Sequence, residues 1–336
     1  MISGSFLARC ILLKCILCLF VEIVVEGGWT KAEEKQWIEY RVDPRYDVPW
    51  LDLQQGQDIP QLGMGTYASN GSQLVESVEF AIHLGYRMFE TSSNYENGAD
   101  LVKGISQTGI HFRHAFITSS IHPNQMDYET TAENLQNMLR QLGRKYINLC
   151  LLDGFGSIGD EGKSNSDMDV YQSASRRQQM WKALEDSKDL GVCLSIGVIN
   201  YELAHLKELM AYARHIPAAN EIEFHPYFIR NDLLAFCRTH HIVVIAYGSI
   251  SPKGLLFELY MNNYILIYVY IYGIVVIPKS NDRQHIADNA HIFDFTMHYN
   301  DISKISQLNQ NKRFFFDYSK FPALDPNSIS TNREDL

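Results

Sequence analysis

The feature that most constrains this chain is an alternation. From Leu51 onward, short strand-like runs and amphipathic stretches take turns along the sequence. The strand-like runs fall at 62–67, 88–92, 115–119, 147–152, 193–198, 220–224, 242–247 and 274–277. Between them apolar residues recur at helical spacing, as with Leu74, Val78, Ala81 and Ile82, or Leu135, Met138, Leu139 and Leu142. A strand followed each time by a helix calls for a parallel sheet, and about eight such units close into a barrel. The expected fold is therefore α/β, a (β/α)8 barrel over residues 51–318. The segment 51–67 supplies a short hairpin across its base and then the first strand. In such a barrel the chemistry sits at the carboxyl ends of the strands. Glu90, Ser120, Asp153, Asn200, Glu221 and Tyr247 all fall at or just beyond such ends.

Size and charge set the outer bounds. A single barrel accommodates 336 residues, and a formal charge of −10 with no basic stripe argues against a nucleic-acid partner. The N-terminus differs from the rest. Arg9 and Lys14 precede an apolar centre from Cys15 to Val21, and small residues follow at Gly27 and Gly28. That arrangement describes a secretory signal over residues 1–27, with an uncleaved anchor or a wrongly joined gene as the alternatives. Glu22 leaves the apolar run short for a membrane span, so the mature form is expected off the membrane. Secretion follows if the leader is genuine, and a cytoplasmic location if it is not. Residues 28–50 read as an extension, 154–169 as a Gly/Ser/Asp-rich loop, and 319–336 as a polar tail.

Three of the six cysteines lie in the leader, while Cys150, Cys193 and Cys237 fall in apolar patterns, so no disulfide framework is expected. Asn70-Gly71-Ser72 is a lone glycosylation acceptor that matters only on the secretory route. No spacing supports a metal site near Asp153, Asp160 and Glu161. One stretch breaks the alternation. Tyr260 to Gly273 is crowded with tyrosine and favours strand where a seventh helix belongs. A poorly formed helix and translated non-coding sequence both account for it. A membrane segment is short on length there.

Several motifs add a family resemblance. GYRMFETSSNYENGADLVKGI (85–105), GVINYELAHLKEL (197–209), NEIEFHPY (220–227) and VIPKSNDRQHIADN (276–289) resemble, in order and separation, segments of the aldo-keto reductases. The resemblance spans about 51–318 and implies a TIM barrel with an irregular region before the last strand. It also implies NADP(H) as cofactor, and hydride transfer to small aldehydes or ketones. The implied proton donor is Tyr95. Glu90 stands where the family keeps an aspartate, Ser120 where it keeps a lysine, and Asp153 where it keeps a histidine. For the cofactor the resemblance points to Asn200, Glu221 and Tyr247 at the nicotinamide. Lys279, Ser280 and His285 then fall at the 2′-phosphate, and Asn289 at the adenine. Glu221 replaces a glutamine and His285 an arginine, so NADPH binding is expected to be weakened.

The substitutions bear on the proton chemistry. A tyrosine titrates near 10 and donates reluctantly without a neighbouring cation. Ser120 supplies no charge. An ionised Asp153 about 4 Å away would oppose tyrosinate by on the order of 4 kcal/mol at an effective dielectric near 20. Lost acid–base assistance typically costs roughly 10²- to 10⁴-fold in rate. A carboxyl kept protonated by crowding is the one escape, with Asp153 beside Glu90 as the expected pair. Two functional readings follow, a slow NADPH-dependent carbonyl reductase or a non-catalytic barrel acting as a cofactor-binding or scaffold protein.

Overall fold

Eight parallel strands, each followed by a helix, run in sequence order around the molecule. The computed structural model describes residues 48–122, 127–153, 170–250, 262–293, 297–315, 317–321 and 323–328. The expected leader, the extension as far as residue 47, the loop at 154–169 and the last eight residues lie outside the described residues. A hairpin of β1 (Trp50–Asp52) and β2 (Asp58–Pro60) comes first. The barrel units are β3 (Gly63–Gly65) with α1 (Gly71–His83), β4 (Met88–Ser92) with α2 (Gly98–Gln107), and β5 (Phe116–Ile121) with α3 (Tyr128–Leu142). Next come β6 (Ile147–Asp153) with α4 (Val170–Asp189), β7 (Cys193–Ile199) with α5 (Leu203–Tyr212), and β8 (Ala219–Glu223) with α6 (Asn231–Thr239). Then β9 (Val243–Tyr247) leads to α7 (Asn262–Ile271), β10 (Val275–Val276) to α8 (Arg283–Ala290), and α9 (Tyr299–Ser306) follows. Strands β3 to β10 pair in chain order, and a parallel bridge between Leu62 and Val276 brings the two edges together.

Burial explains why the strands read as they do. All seven residues of β6 are buried, as expected where helices cover one face of a parallel strand and the barrel interior the other. Gly197 on β7 is dictated by close approach, since a Cβ there would meet the Ala219 carbonyl oxygen at 2.5 Å. The ends of α3 are set locally. Asp127 accepts from the Thr130 N–H at 2.8 Å, and Gly143 closes the helix in the left-handed region at φ 57°.

The core divides into two layers. The larger lies between strands and helices. The smaller fills the barrel's lower interior, where Leu53 and Ile59 of the hairpin meet Met88, Phe116, Leu149, Leu151, Ile245 and Val275. The hairpin thus plugs the base. That inner layer also fixes what lies above it. Side chains alternate along a strand, so Glu90, Ser120, Asp153, Glu221 and Tyr247 project inward one or two steps beyond Met88, Phe116, Leu151, Ala219 and Ile245.

Two readings are refined here. The tyrosine-rich run, for which a poorly formed helix and translated non-coding sequence are the expectations, is helical over Asn262–Ile271 although its residues favour strand. Ile265 to Val269 are all buried while Ile271 at the end is exposed, and tertiary burial overrides propensity. The hydroxyls of Tyr268 and Tyr272 share a cluster with Ser306 at 3.0–3.2 Å, tying α7 to α9. Among the described residues no helix is long and apolar enough to cross a membrane. The second change concerns cysteine. Cys150 of β6 and Cys193 of β7 form a disulfide with Cα atoms 5.8 Å apart. No signature spacing announces it, because the two are 43 residues apart and lie on separate, neighbouring strands. The packed chain also continues past residue 318. The Phe321 carbonyl meets His205 Nε2 at 3.0 Å, and the Leu324 N–H donates to Glu208 at 2.6 Å.

Candidate active site

The inward residues of β4, β5, β6, β8 and β9 meet at the carboxyl end of the barrel, and Tyr95 joins them from the loop after β4. Asn97 shapes that loop. Its side-chain amide donates to the carbonyls of Thr66 and Ser69, while its Oδ1 accepts from Thr91 at 2.8 Å. The Tyr95 N–H donates to the Ser92 carbonyl at 3.1 Å, which turns the ring back over the barrel. There it packs edge-on to Tyr67 with centroids 5.4 Å apart.

The Tyr95 hydroxyl hydrogen-bonds to Glu90. Burial pushes the phenol far above its ordinary value, and the carboxyls of Glu90 and Glu221 push it further. Both acids are buried in turn. Burial first, then Glu221, holds Glu90 well above the carboxylate range, against partial relief from the Thr66 N–H and Tyr95. Burial alone pushes Glu221 to about 8. Desolvation therefore favours the protonated form of Glu90, the residue that stands where the family keeps an aspartate. The crowded pair differs from the expected one as well. Glu90 is crowded by Glu221, while Asp153 lies 3.1 Å from Nδ1 of His122.

His122 is the residue that sequence reading missed. Ile121 pairs with Leu152 across β5 and β6, so His122 stands level with Asp153. Two positions back on the same face is Ser120, whose Oγ lies 3.2 Å from His122 Nε2. The signal was available as a histidine at i+2 from a site serine. That position carries no role in the resemblance.

The residues expected at the nicotinamide assemble around Asn200. Asn200 adopts φ 65°, its N–H donates to the Glu221 carbonyl at 2.8 Å, and its Oδ1 accepts from the Tyr247 hydroxyl at 2.7 Å. Asparagine tolerates this left-handed backbone better than most residues. Tyr247 packs edge-on to Phe315 at 5.3 Å, and Glu223 anchors the segment bearing Phe315 by accepting from the Phe314 N–H at 2.6 Å. Among the described residues Glu221 Oε2 is buried with no partner. An orphaned polar atom in this position fits a ligand amide. With burial raising the carboxyl to about 8, its protonated form both donates and accepts as a glutamine would.

The phosphate-side residues lie along the β10–α8 connection. Gly65 of β3 passes so close that a Cβ there would lie 3.4 Å from Lys279 Cβ and 3.8 Å from Glu90 Oε2. The loop is held by Ser69, which donates to Asn281 Oδ1 at 2.8 Å, and by Ser280 Oγ, which accepts from the Asp282 N–H at 3.0 Å. Asp282 caps α8, accepting from the His285 N–H at 2.9 Å. The His285 side chain is half exposed, Asn289 is buried, and the Arg283 guanidinium lies over Phe80 at 5.1 Å. Lys279 and the first turn of α8 fit a phosphate, although Asp282 works against it. A separate cavity of about 210 Å³, lined by Leu51, Arg238, His241 and Tyr272 among others, opens at the plugged base, away from these groups.

A family model described as "Aldo/keto reductase family" matches residues 61–268. Glyoxal reductase of Bacillus subtilis (strain 168) is 31% identical over 275 residues, 78% of this chain and 94% of that protein. An aldo/keto reductase structure from Brucella melitensis is 29% identical with a TM-score of 0.69, covering 78% of this chain and all 100% of that one. A Bombyx mori aldo-keto reductase solved in complex with NADP is 25% identical with a TM-score of 0.70, covering 82% and 98%.

Proposed function

We propose, for a chain that belongs to the aldo/keto reductase family, that its barrel mouth binds NADP(H) and reduces small carbonyls slowly, with Tyr95 as proton donor. One observation carries this reading: the phenol is buried against Glu90 and Glu221, and burial together with these acids and the phenols of Tyr67 and Tyr247 raises its pKa, with no cation among the groups that act on it within the described residues. Bound NADPH supplies the hydride. Asn200 and the protonated Glu221 would orient its carboxamide, Tyr247 and Phe315 would line the ring's place, and Lys279, Ser280 and the start of α8 would hold the phosphate. Tyr95 gives its proton to the carbonyl oxygen, and the neutral Glu90 carboxyl is poised to stabilise the phenolate by hydrogen bonding. Because that help is neutral, the donor stays weak.

The test is an NADPH titration followed by single-turnover mixing with a small aldehyde, glyoxal first in view of the Bacillus relative. The expected outcome is saturable quenching of protein fluorescence and oxidation at about 10⁻³ to 10⁻¹ s⁻¹, a median turnover of ~10 s⁻¹ reduced by 10² to 10⁴. Turnover near 10 s⁻¹ refutes the impaired donor. Binding without any hydride transfer instead makes the chain a cofactor-binding scaffold, a reading that the same carboxyl-lined phenol favours.

The Cys150–Cys193 disulfide and the exposed Asn70, whose side chain makes no capping bond, support placing the protein in the secretory route. Expression in cultured cells with the native leader should release a form whose mass falls on enzymatic deglycosylation. Retention in the cytosol with free thiols would refute this placement.

A further inference from the structure

The groups missing from a reductase are replaced at this mouth by a different catalytic chain. Ser120 Oγ lies 3.2 Å from His122 Nε2, and His122 Nδ1 lies 3.1 Å from Asp153 Oδ2. We propose that Ser120, His122 and Asp153 form a nucleophilic triad that hydrolyses short-chain carboxylic esters, an activity independent of the cofactor and additional to the reductase reading.

The order of contacts is the one that nucleophilic catalysis requires. Asp153 accepts from Nδ1–H, which leaves Nε2 as the acceptor for the serine hydroxyl. The backbone fixes the arrangement. Ser120 and His122 are two residues apart along β5 and its exit, so they share the inward face, and the β5–β6 register sets Asp153 beside the imidazole. The His122 backbone is pinned separately, its N–H donating to Ser93 Oγ at 3.2 Å. Each member is inside the barrel mouth, with Asp153 4% exposed and the His122 side chain 18%. A buried ion pair alone needs no serine on its far nitrogen. Three groups in relay, at the end of the barrel where chemistry sits, make a nucleophile.

The steps balance without a co-reactant beyond water. As Ser120 Oγ attacks the ester carbonyl carbon, its proton passes to His122 Nε2 and Asp153 steadies the imidazolium. The carbon–oxygen bond to the alcohol then breaks, and Nε2 returns the proton to the departing oxygen. Water next attacks the acyl-serine, giving a proton to Nε2, and the carboxylic acid leaves as Ser120 regains its hydrogen. Tyr95, kept protonated by burial, is a neutral hydroxyl donor at the same mouth for the oxyanion. Ser120 is only 1% exposed, so the acyl group must be short. Tyr67, Tyr95, Tyr247 and Phe315 around the opening suit an aromatic alcohol.

The test treats the full chain, free of NADPH, with a fluorophosphonate probe and separately with p-nitrophenyl acetate. The expected result is a phosphonyl adduct on the peptide containing Ser120. It should be absent in Ser120→Ala and formed at least about 10²-fold more slowly in His122→Asn. Asp153→Asn should cut kcat for the acetate by about 10²-fold or more while KM stays within about twofold, a split that a packing role does not produce. Matching circular dichroism and melting curves for all variants guard against misfolding. No adduct on folded wild-type protein, an adduct on another residue, or wild-type labelling by His122→Asn would each overturn the triad. None of these outcomes depends on whether NADPH binds.

Discussion

Glu221→Gln offers a direct measure of what burying two acids at the barrel mouth costs. In the unfolded chain Glu221 ionises at the ordinary value of 4.5, and in the folded protein at about 8. Between those pH values the native state holds one proton that the unfolded state has released. Stability therefore falls as pH rises, by about 1.4 kcal/mol per pH unit for each such proton. Between pH 5 and 7.5 this one carboxyl costs on the order of 3 kcal/mol. Glu90, raised for the same reason and by Glu221 itself, adds in the same direction. Glutamine at 221 removes the first contribution outright and relaxes the second. Guanidinium unfolding at constant ionic strength, repeated from pH 5 to 8, reads the effect as a difference in slope, so any pH-independent change in packing cancels. The variant should gain about 3 kcal/mol or more over wild type between pH 5 and 7.5. Parallel stability profiles would refute the reading of Glu221 as a buried, protonated acid, and with it the donor assigned to the carboxamide.

Other perturbations test other parts of the site. His285→Arg should tighten NADPH roughly tenfold by restoring a charged fork at the 2′-phosphate, with NADH unchanged, as read by fluorescence titration. Ser120→Lys should speed single-turnover reduction roughly 10²-fold by giving the phenol a cationic neighbour, and an unchanged rate would show that the donor is not limiting. Replacing Cys150 and Cys193 together by serine should lower stability by about 4 kcal/mol, the chain-entropy value for a loop of 43 residues, measured by denaturant unfolding against the oxidised protein.

The sequence made the barrel legible because period-two strands and period-3.6 helices alternate without interruption through most of its length. The eight strands fall within a few residues of their expected places, and the hairpin packs across the base as the 51–67 segment suggested. What failed to show has a common cause. Local pattern does not report what tertiary enclosure does. The residues of the tyrosine-rich α7 favour strands in isolation, and the burial of Ile265 to Val269 accompanies their helical fold. The crowding of Glu90 by Glu221 did not show, because residue type gives no measure of desolvation. The Cys150–Cys193 pair depends on which strands become neighbours. His122 differs from these, since its spacing from Ser120 was visible and only its meeting with Asp153 required the fold.

The covalent link between Cys150 and Cys193 joins the two staves whose upper tips carry Asp153 and, just beyond the second, Asn200. One tip holds the histidine and the other carries the asparagine bonded to Tyr247. Neighbouring staves in an unlinked wall slip in register only by breaking their ladder, and here a weld opposes that slip as well. This sector of the rim is braced against shear, so the two tips keep their spacing.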